Sequence, residues 1–235
     1  MICKISDLVV EVPASGGMAH RCEKYLTDQT LLADIIVREE LYKPERHPDW
    51  RYDQLAYMMS GAQFYRQLLK FDGMLLHASA VAVDGRAYLF SGPSGMGKST
   101  HTRLWQELLG EDAKVFNDDK PALRCLDGVW YAYGTPWCGK DGINLDLKVP
   151  LAGICFLKRG EQNAIRTLNS KEASFELIAQ TIRRFKNAEL LDGMLNIVER
   201  LVRDVPIYEL TNRPDLDAAR LSYQTMRRGA KEINL

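Results

Sequence analysis

At 235 residues, with 46% apolar and 26% charged, the chain can bury a sizeable core as one domain or as a main domain with a smaller partner, which excludes a disordered or fibrous protein. Its 31 Lys plus Arg balance 31 Asp plus Glu with no long run of one sign, which excludes a broad electrostatic footprint for nucleic acid or a membrane. Five cysteines, none spaced as CxxC, argue against a disulfide framework or a structural zinc, and the lack of a long apolar stretch or a signal-like amino terminus leads us to expect a cytoplasmic location.

In chain order, the composition predicts strands over residues 5–12 and 32–39, separated by a turn-rich stretch at 13–17. Residues 52–69 carry apolar side chains at three- and four-residue steps, as an amphipathic helix does. Residues 1–70 are therefore expected to form a small β-containing module with a packing helix. Two β-rich runs follow, 73–83 and Arg86–Ser91, joined at Asp84-Gly85, a favoured hairpin dipeptide. A helix over 100–109, a short strand over 113–116, and further strands at Val129–Tyr133, 144–147 and 154–157 come next. Helices over 171–185, 188–202 and 215–228, with a strand at 207–210, complete a core expected to span 71–235. The expected class is mixed α/β, an antiparallel-rich β core with a phosphate loop and flanking helices.

Gly92, Pro93, Ser94, Gly95, Met96, Gly97, Lys98 and Ser99 fit GxxxxGK[ST] at every required position, after an apolar strand and before a helix. Glycines let successive backbone N–H groups converge on phosphate oxygens, and Lys98 adds a mobile positive charge. Ser99 offers a hydroxyl to Mg²⁺, and Thr100 follows at the positive end of the helix, completing the expected nucleotide-binding set. A glycine-rich structural turn would use the same residues. The cofactors expected are ATP and Mg²⁺.

Asp118 and Asp119 end the strand that follows the loop helix, from which both can face the phosphates. Near a divalent ion two carboxylates can divide their work, Asp118 accepting a proton from an incoming hydroxyl and Asp119 holding the metal with Ser99. A plain polar turn at Asn117-Asp118-Asp119 draws on the same residue types. His77, in the strand before the loop strand, is placed to orient Asp118 or to touch the transferred group, or is structural. His101 reads as a surface residue. The stretch 134–142 has the composition of a loop that closes on a ligand, with Lys140 neutralising transition-state charge, or of a turn anchored in the core by Trp137. Cys138 has no assignable base and is set aside as a nucleophile.

On His77, the GxxGxGKS loop and the closely following Asp-Asp, the chain resembles the HPr kinase/phosphorylase family, whose nucleotide-binding core is shared with phosphoenolpyruvate carboxykinases. The likeness covers residues 77–159. It implies Asp118 as proton acceptor, His77 in support, and Lys98 and Ser99 on phosphate and metal. The chain has no match for the family's further acidic residue, and 134–142 stands where the family has a glycine-rich signature. Small relatives that phosphorylate a serine hydroxyl are the better guide.

The expectation is an ATP-dependent kinase acting on a hydroxyl of a peptide, protein or small molecule, with no nucleic-acid or membrane partner; the resemblance also implies homo-oligomers. Carboxykinase-like or nucleotide-hydrolysing activity, or an inactive nucleotide-sensing module, are the alternatives. Arg183, Arg184 and Arg213 are either acceptor-binding groups or solvated helix surface.

Overall fold

A computed structural model describes residues 1–29, 32–182, 185 and 187–230. Arg183 and Arg184 lie outside the described residues. Strands β1 (Ile2–Ile5) and β2 (Leu8–Glu11) form a hairpin, with β3 (Ile35–Ile36) parallel to β2. The run expected over 5–12 is thus cut at Ser6-Asp7, whose φ angles of 55° and 62° make the tight turn that suits two twisted strands. Of the strand expected over 32–39, two residues pair. Helix α1 (Met18–Cys22) was not foreseen.

Helix α2 (Tyr52–Leu68) follows the expected period and buries Leu55, Ala56, Phe64, Tyr65 and Leu68. Its apolar face joins Ile5, Val10, Met18 and Tyr25 on one side to Leu75, Ala122, Tyr133 and Trp137 on the other, so the core of the first 70 residues is continuous with the main sheet.

That sheet is mixed and, among the described residues, has nine strands: β4 (Gly73–Leu75), β5 (Ala78–Val83), β6 (Arg86–Ser91), β7 (Lys114–Asn117), β8 (Ala122–Leu126), β9 (Val129–Tyr133), β10 (Lys148–Arg159), β11 (Ala164–Thr167) and β12 (Ile207–Asn212). The order is β4-β8-β9-β10-β6-β5-β7, with β12 on β10 and β11 on β12. Among the described residues of this sheet, only the β10–β6 and β10–β12 pairs are parallel. Asp84-Gly85 turns as expected, and Asp127-Gly128 makes the same kind of turn between β8 and β9, a hairpin the sequence reading missed. β10 is far longer than the expected 154–157, because the ladder continues through Pro150 and past an irregularity between Leu151 and Gly153. The strand expected at 144–147 reduces to one bridge, Asn117 to Asn144.

Helices α3 (Lys98–Leu109), α4 (Ser170–Ala179), α5 (Ala188–Asp204) and α6 (Leu216–Gly229) flank the sheet. α5 buries Met194, Ile197, Val198 and Leu201 against it; Asp215 caps α6 by accepting from Ala218 N at 2.9 Å. α4 ends at Ala179, short of the expected 185. Among the described residues no helix is long and apolar enough to cross a membrane.

Trp137 fixes the join between α2 and the sheet. Fully buried, it stacks on Phe64 with ring centroids 4.6 Å apart and donates from Nε1 to Ser60 Oγ at 2.9 Å. Trp137→Ala therefore lowers unfolding stability by about 3–5 kcal/mol, measured by urea denaturation; a loss under about 1 kcal/mol would show that the indole is not part of the packed core.

Candidate active site

The strand pairing brings three separate segments to one edge of the sheet. Ala78 pairs with Ser91, so His77 stands beside the start of the glycine loop; Ala80 pairs with Asn117, so Asp118 and Asp119 leave the sheet at the same end. Their backbones are further tied by Ala78 N donating to Asp119 O at 3.1 Å and by Ser91 Oγ donating to His77 O at 2.9 Å.

In the loop, Gly92 has φ 145° and Gly97 φ 97°, backbone shapes that a side chain would resist. Pro93, Ser94, Gly95 and Thr100 are exposed, Met96, Gly97 and Ser99 partly so. Lys98, the first residue of α3, is buried, and its Nζ donates to the carbonyls of Gly92 at 2.9 Å and Pro93 at 3.2 Å. Burial pushes its ammonium below the ordinary value, while the Asp119 charge acts the other way.

Asn117 organises the acidic turn. Its Oδ1 accepts from the backbone N–H of Asp119 at 3.1 Å and of Lys120 at 2.9 Å, and its amide donates to Thr135 O at 3.1 Å. Asp119 is then engaged from three directions. His77 Nε2 lies 3.3 Å from Oδ1, Tyr57 donates to Oδ2 at 2.5 Å, and Lys120 donates to the same oxygen. Burial alone would raise this carboxyl; the bonds from His77, Lys120 and Tyr57 overcome it and hold the group well below the usual range. Asp118 goes the opposite way. Burial raises it, the charges of Asp119 and Asp141 add to the effect, and a 2.6 Å bond from Gly139 N to Oδ1 only partly opposes them.

The first part of 134–142 is core rather than a free loop. Residues 134–138 are buried, and a Cβ on Gly134 would come within 1.8 Å of Leu145 O. Cys138 is covered by Arg21, whose guanidinium donates to Cys138 O at 3.2 Å and sits over the Tyr57 ring at 4.8 Å.

A family model described as "ScmC: SynChlorMet cassette protein ScmC" matches residues 45–213, well over half of the chain, including Tyr57, His77, the glycine loop and the Asp-Asp pair. The chain belongs to the ScmC family. No curated protein matches this ScmC-family chain. Among solved structures it is similar to "Structure of the Hpr(Ser) kinase/phosphatase from Coxiella burnetii", at 12% identity, covering 66% of this chain and 88% of that one, with a TM-score of 0.37.

Of the candidate residues, His77, Lys98, Ser99, Asp118 and Asp119 gather at this edge. His77 reaches Asp119, not the Asp118 it was expected to orient. Lys140 is exposed and makes no hydrogen bond among the described residues, whereas Lys120, passed over in the sequence, sits within the cluster. His101 is not on the surface: it is 1% exposed, with Nε2 2.9 Å from Ser222 Oγ. Arg213 is exposed, within 3.5 Å of Asp215.

The two aspartates should respond oppositely to neutralisation. Asp119 titrates lower in the folded chain than its free value of 3.8, so its stabilisation is complete above that value and drains away as pH falls through the folded one. Asp118 titrates higher when folded, so its charged form opposes folding at neutral pH and relief comes on protonation. Urea unfolding at pH 7 should show Asp119→Asn destabilised and Asp118→Asn unchanged or stabilised; equal losses in both would refute the split.

Proposed function

We propose that the chain is an ATP-dependent kinase that transfers the γ-phosphoryl group to a hydroxyl, of a serine in a peptide or protein or of a small molecule. The observation that carries this reading is the juxtaposition of the lysine-bearing glycine loop with two aspartates of opposite protonation tendency at one sheet edge. The resemblance to HPr kinases in His77, the loop and the Asp-Asp pair points the same way.

The loop amides and the start of α3 favour the phosphate chain, and Lys98 moves from the loop carbonyls to the phosphate oxygens as they arrive. The Ser99 hydroxyl and the Asp119 carboxylate are oxygen donors of the kind Mg²⁺ takes, one or two from protein with phosphate and water completing the shell; they would hold it, and it would supply charge neutralisation. Asp118, raised by burial yet with Oδ2 not engaged by Gly139, takes the proton as the acceptor oxygen bonds to phosphorus. The bond from phosphorus to the bridging oxygen breaks, and that oxygen leaves on ADP.

Mass spectrometry of the chain with Mg·ATP and the products of neighbouring genes should find one phosphate added to a hydroxyl-bearing peptide or metabolite; free phosphate alone would identify a hydrolase instead. Asp118→Asn should keep Mg·ATP affinity while transfer falls by about 10²–10⁴-fold. Undiminished turnover in that variant would remove Asp118 from the role of base.

A further inference from the structure

One peptide group joins Arg21 to Asp118. The carbonyl of the peptide between Cys138 and Gly139 accepts from Arg21 Nη1 at 3.2 Å, and the N–H of the same peptide donates to Asp118 Oδ1 at 2.6 Å. A trans peptide points these two groups in opposite directions, so guanidinium and carboxylate stand at either end of one plane. We propose that Arg21 is a positioning residue for Asp118, holding that peptide in the orientation from which the Gly139 N–H aims the carboxylate. The inference rests on the kinase reading above, in which Asp118 is the base.

Position 139 must be glycine for Asp118 to come this close, since a Cβ there would lie 2.8 Å from Asp118 Oδ2 and 3.1 Å from its Cγ. Glycine also removes the steric barrier that keeps a peptide from turning over. A turned peptide would present its carbonyl oxygen to the carboxylate, setting two acceptors face to face. A charged donor on the far oxygen opposes that rotation, and bonds of this kind are about twice as strong as neutral ones. It also polarises the peptide, which makes the N–H a better donor. With Oδ1 held by Gly139, the carboxylate keeps one orientation and Oδ2 is left for the proton.

Arg21 is itself fixed from several sides. Nη1 lies 3.0 Å from Cys138 Sγ, the guanidinium covers the Tyr57 ring at 4.8 Å, and Asn144 Nδ2 donates to the Arg21 carbonyl at 2.9 Å. Lys24 donates to Asn144 O at 2.9 Å, and Asn144 bridges to Asn117, the residue just before Asp118. Both aspartates are thus oriented from the first 70 residues. Tyr57 bonds Asp119 directly, whereas Arg21 reaches Asp118 through one peptide.

The Gly139 amide resonance in nitrogen–proton NMR reads the peptide itself, because a proton bonded this closely to a carboxylate lies downfield. Arg21→Met keeps the apolar stem and removes the donor. It should move that resonance upfield and lower kcat by about 10- to 100-fold, while the Kd for Mg·ATP stays within about twofold. Turnover is read as ADP formed from Mg·ATP in the presence of the neighbouring genes' products. Arg21→Lys, which retains a charged donor, should recover most of it. Gly139→Ala, with Arg21 left in place, should lower kcat in the same way, and unchanged turnover there overturns the assignment even if Arg21→Met does not fold. An unmoved Gly139 resonance in Arg21→Met overturns it too, as do equal losses of turnover and Mg·ATP affinity in the Met and Lys variants, which mark a purely structural role. Wild type that binds Mg·ATP but phosphorylates nothing overturns the kinase reading, and the Gly139 resonance then still decides whether Arg21 orients Asp118.

Discussion

The Asp119 carboxylate is where distant parts of the chain meet. It accepts bonds from His77, between β4 and β5, from Tyr57 on α2, and from its neighbour Lys120. A partly buried carboxylate is costly unless donors surround it, so each of those side chains is held in place by the need to satisfy the others. The Tyr57 phenol is raised by burial and by the Asp119 charge, and it therefore remains a donor across the whole working range of pH. Lys120 donates to the same phenol at 2.7 Å and lies over its ring, which closes the cluster. Through Tyr57 and Arg21 the first 70 residues become part of the site's wall, an arrangement matched by the shared apolar core around Trp137.

Asp118 sits next to this anchored charge but outside its bonds. The contrast follows from position: one carboxyl accepts bonds from three side chains and stays ionised, with acceptor capacity left on Oδ1, while the other is buried beside two acidic neighbours and holds its proton more readily. A pair pushed apart in this way can divide metal holding from proton acceptance, which identical environments would not permit.

Local signals were legible in the sequence and long-range ones were not. The Asp84-Gly85 turn and the period of α2 each depend on a few neighbouring residues, and the structure has both; Gly92, Gly95 and Gly97 likewise take positive φ between β6 and α3. β8 was missed although Asp127-Gly128 marks its hairpin, because Arg124 interrupts its apolar character; the side chain is buried and donates to Phe71 O and Ser6 O. Tyr57 lies 62 residues from Asp119, and Arg21 lies 117 from Cys138, distances over which no spacing rule operates. His101 looked solvent-facing because its neighbours on α3 are polar. Phe90 and Ser222 cover it from other elements, with the Phe90 ring centroid 4.4 Å away.

The central claim is that loop and acidic turn form one phosphate site, with Lys98 handing its bonds from carbonyls to phosphates. A crystal structure with Mg²⁺ and a non-hydrolysable ATP analogue tests it most directly. The account predicts Lys98 Nζ released from the Gly92 and Pro93 carbonyls onto phosphate oxygens, with the γ-phosphorus facing Asp118. An analogue bound away from residues 92–99, with Lys98 still on those carbonyls, would contradict it.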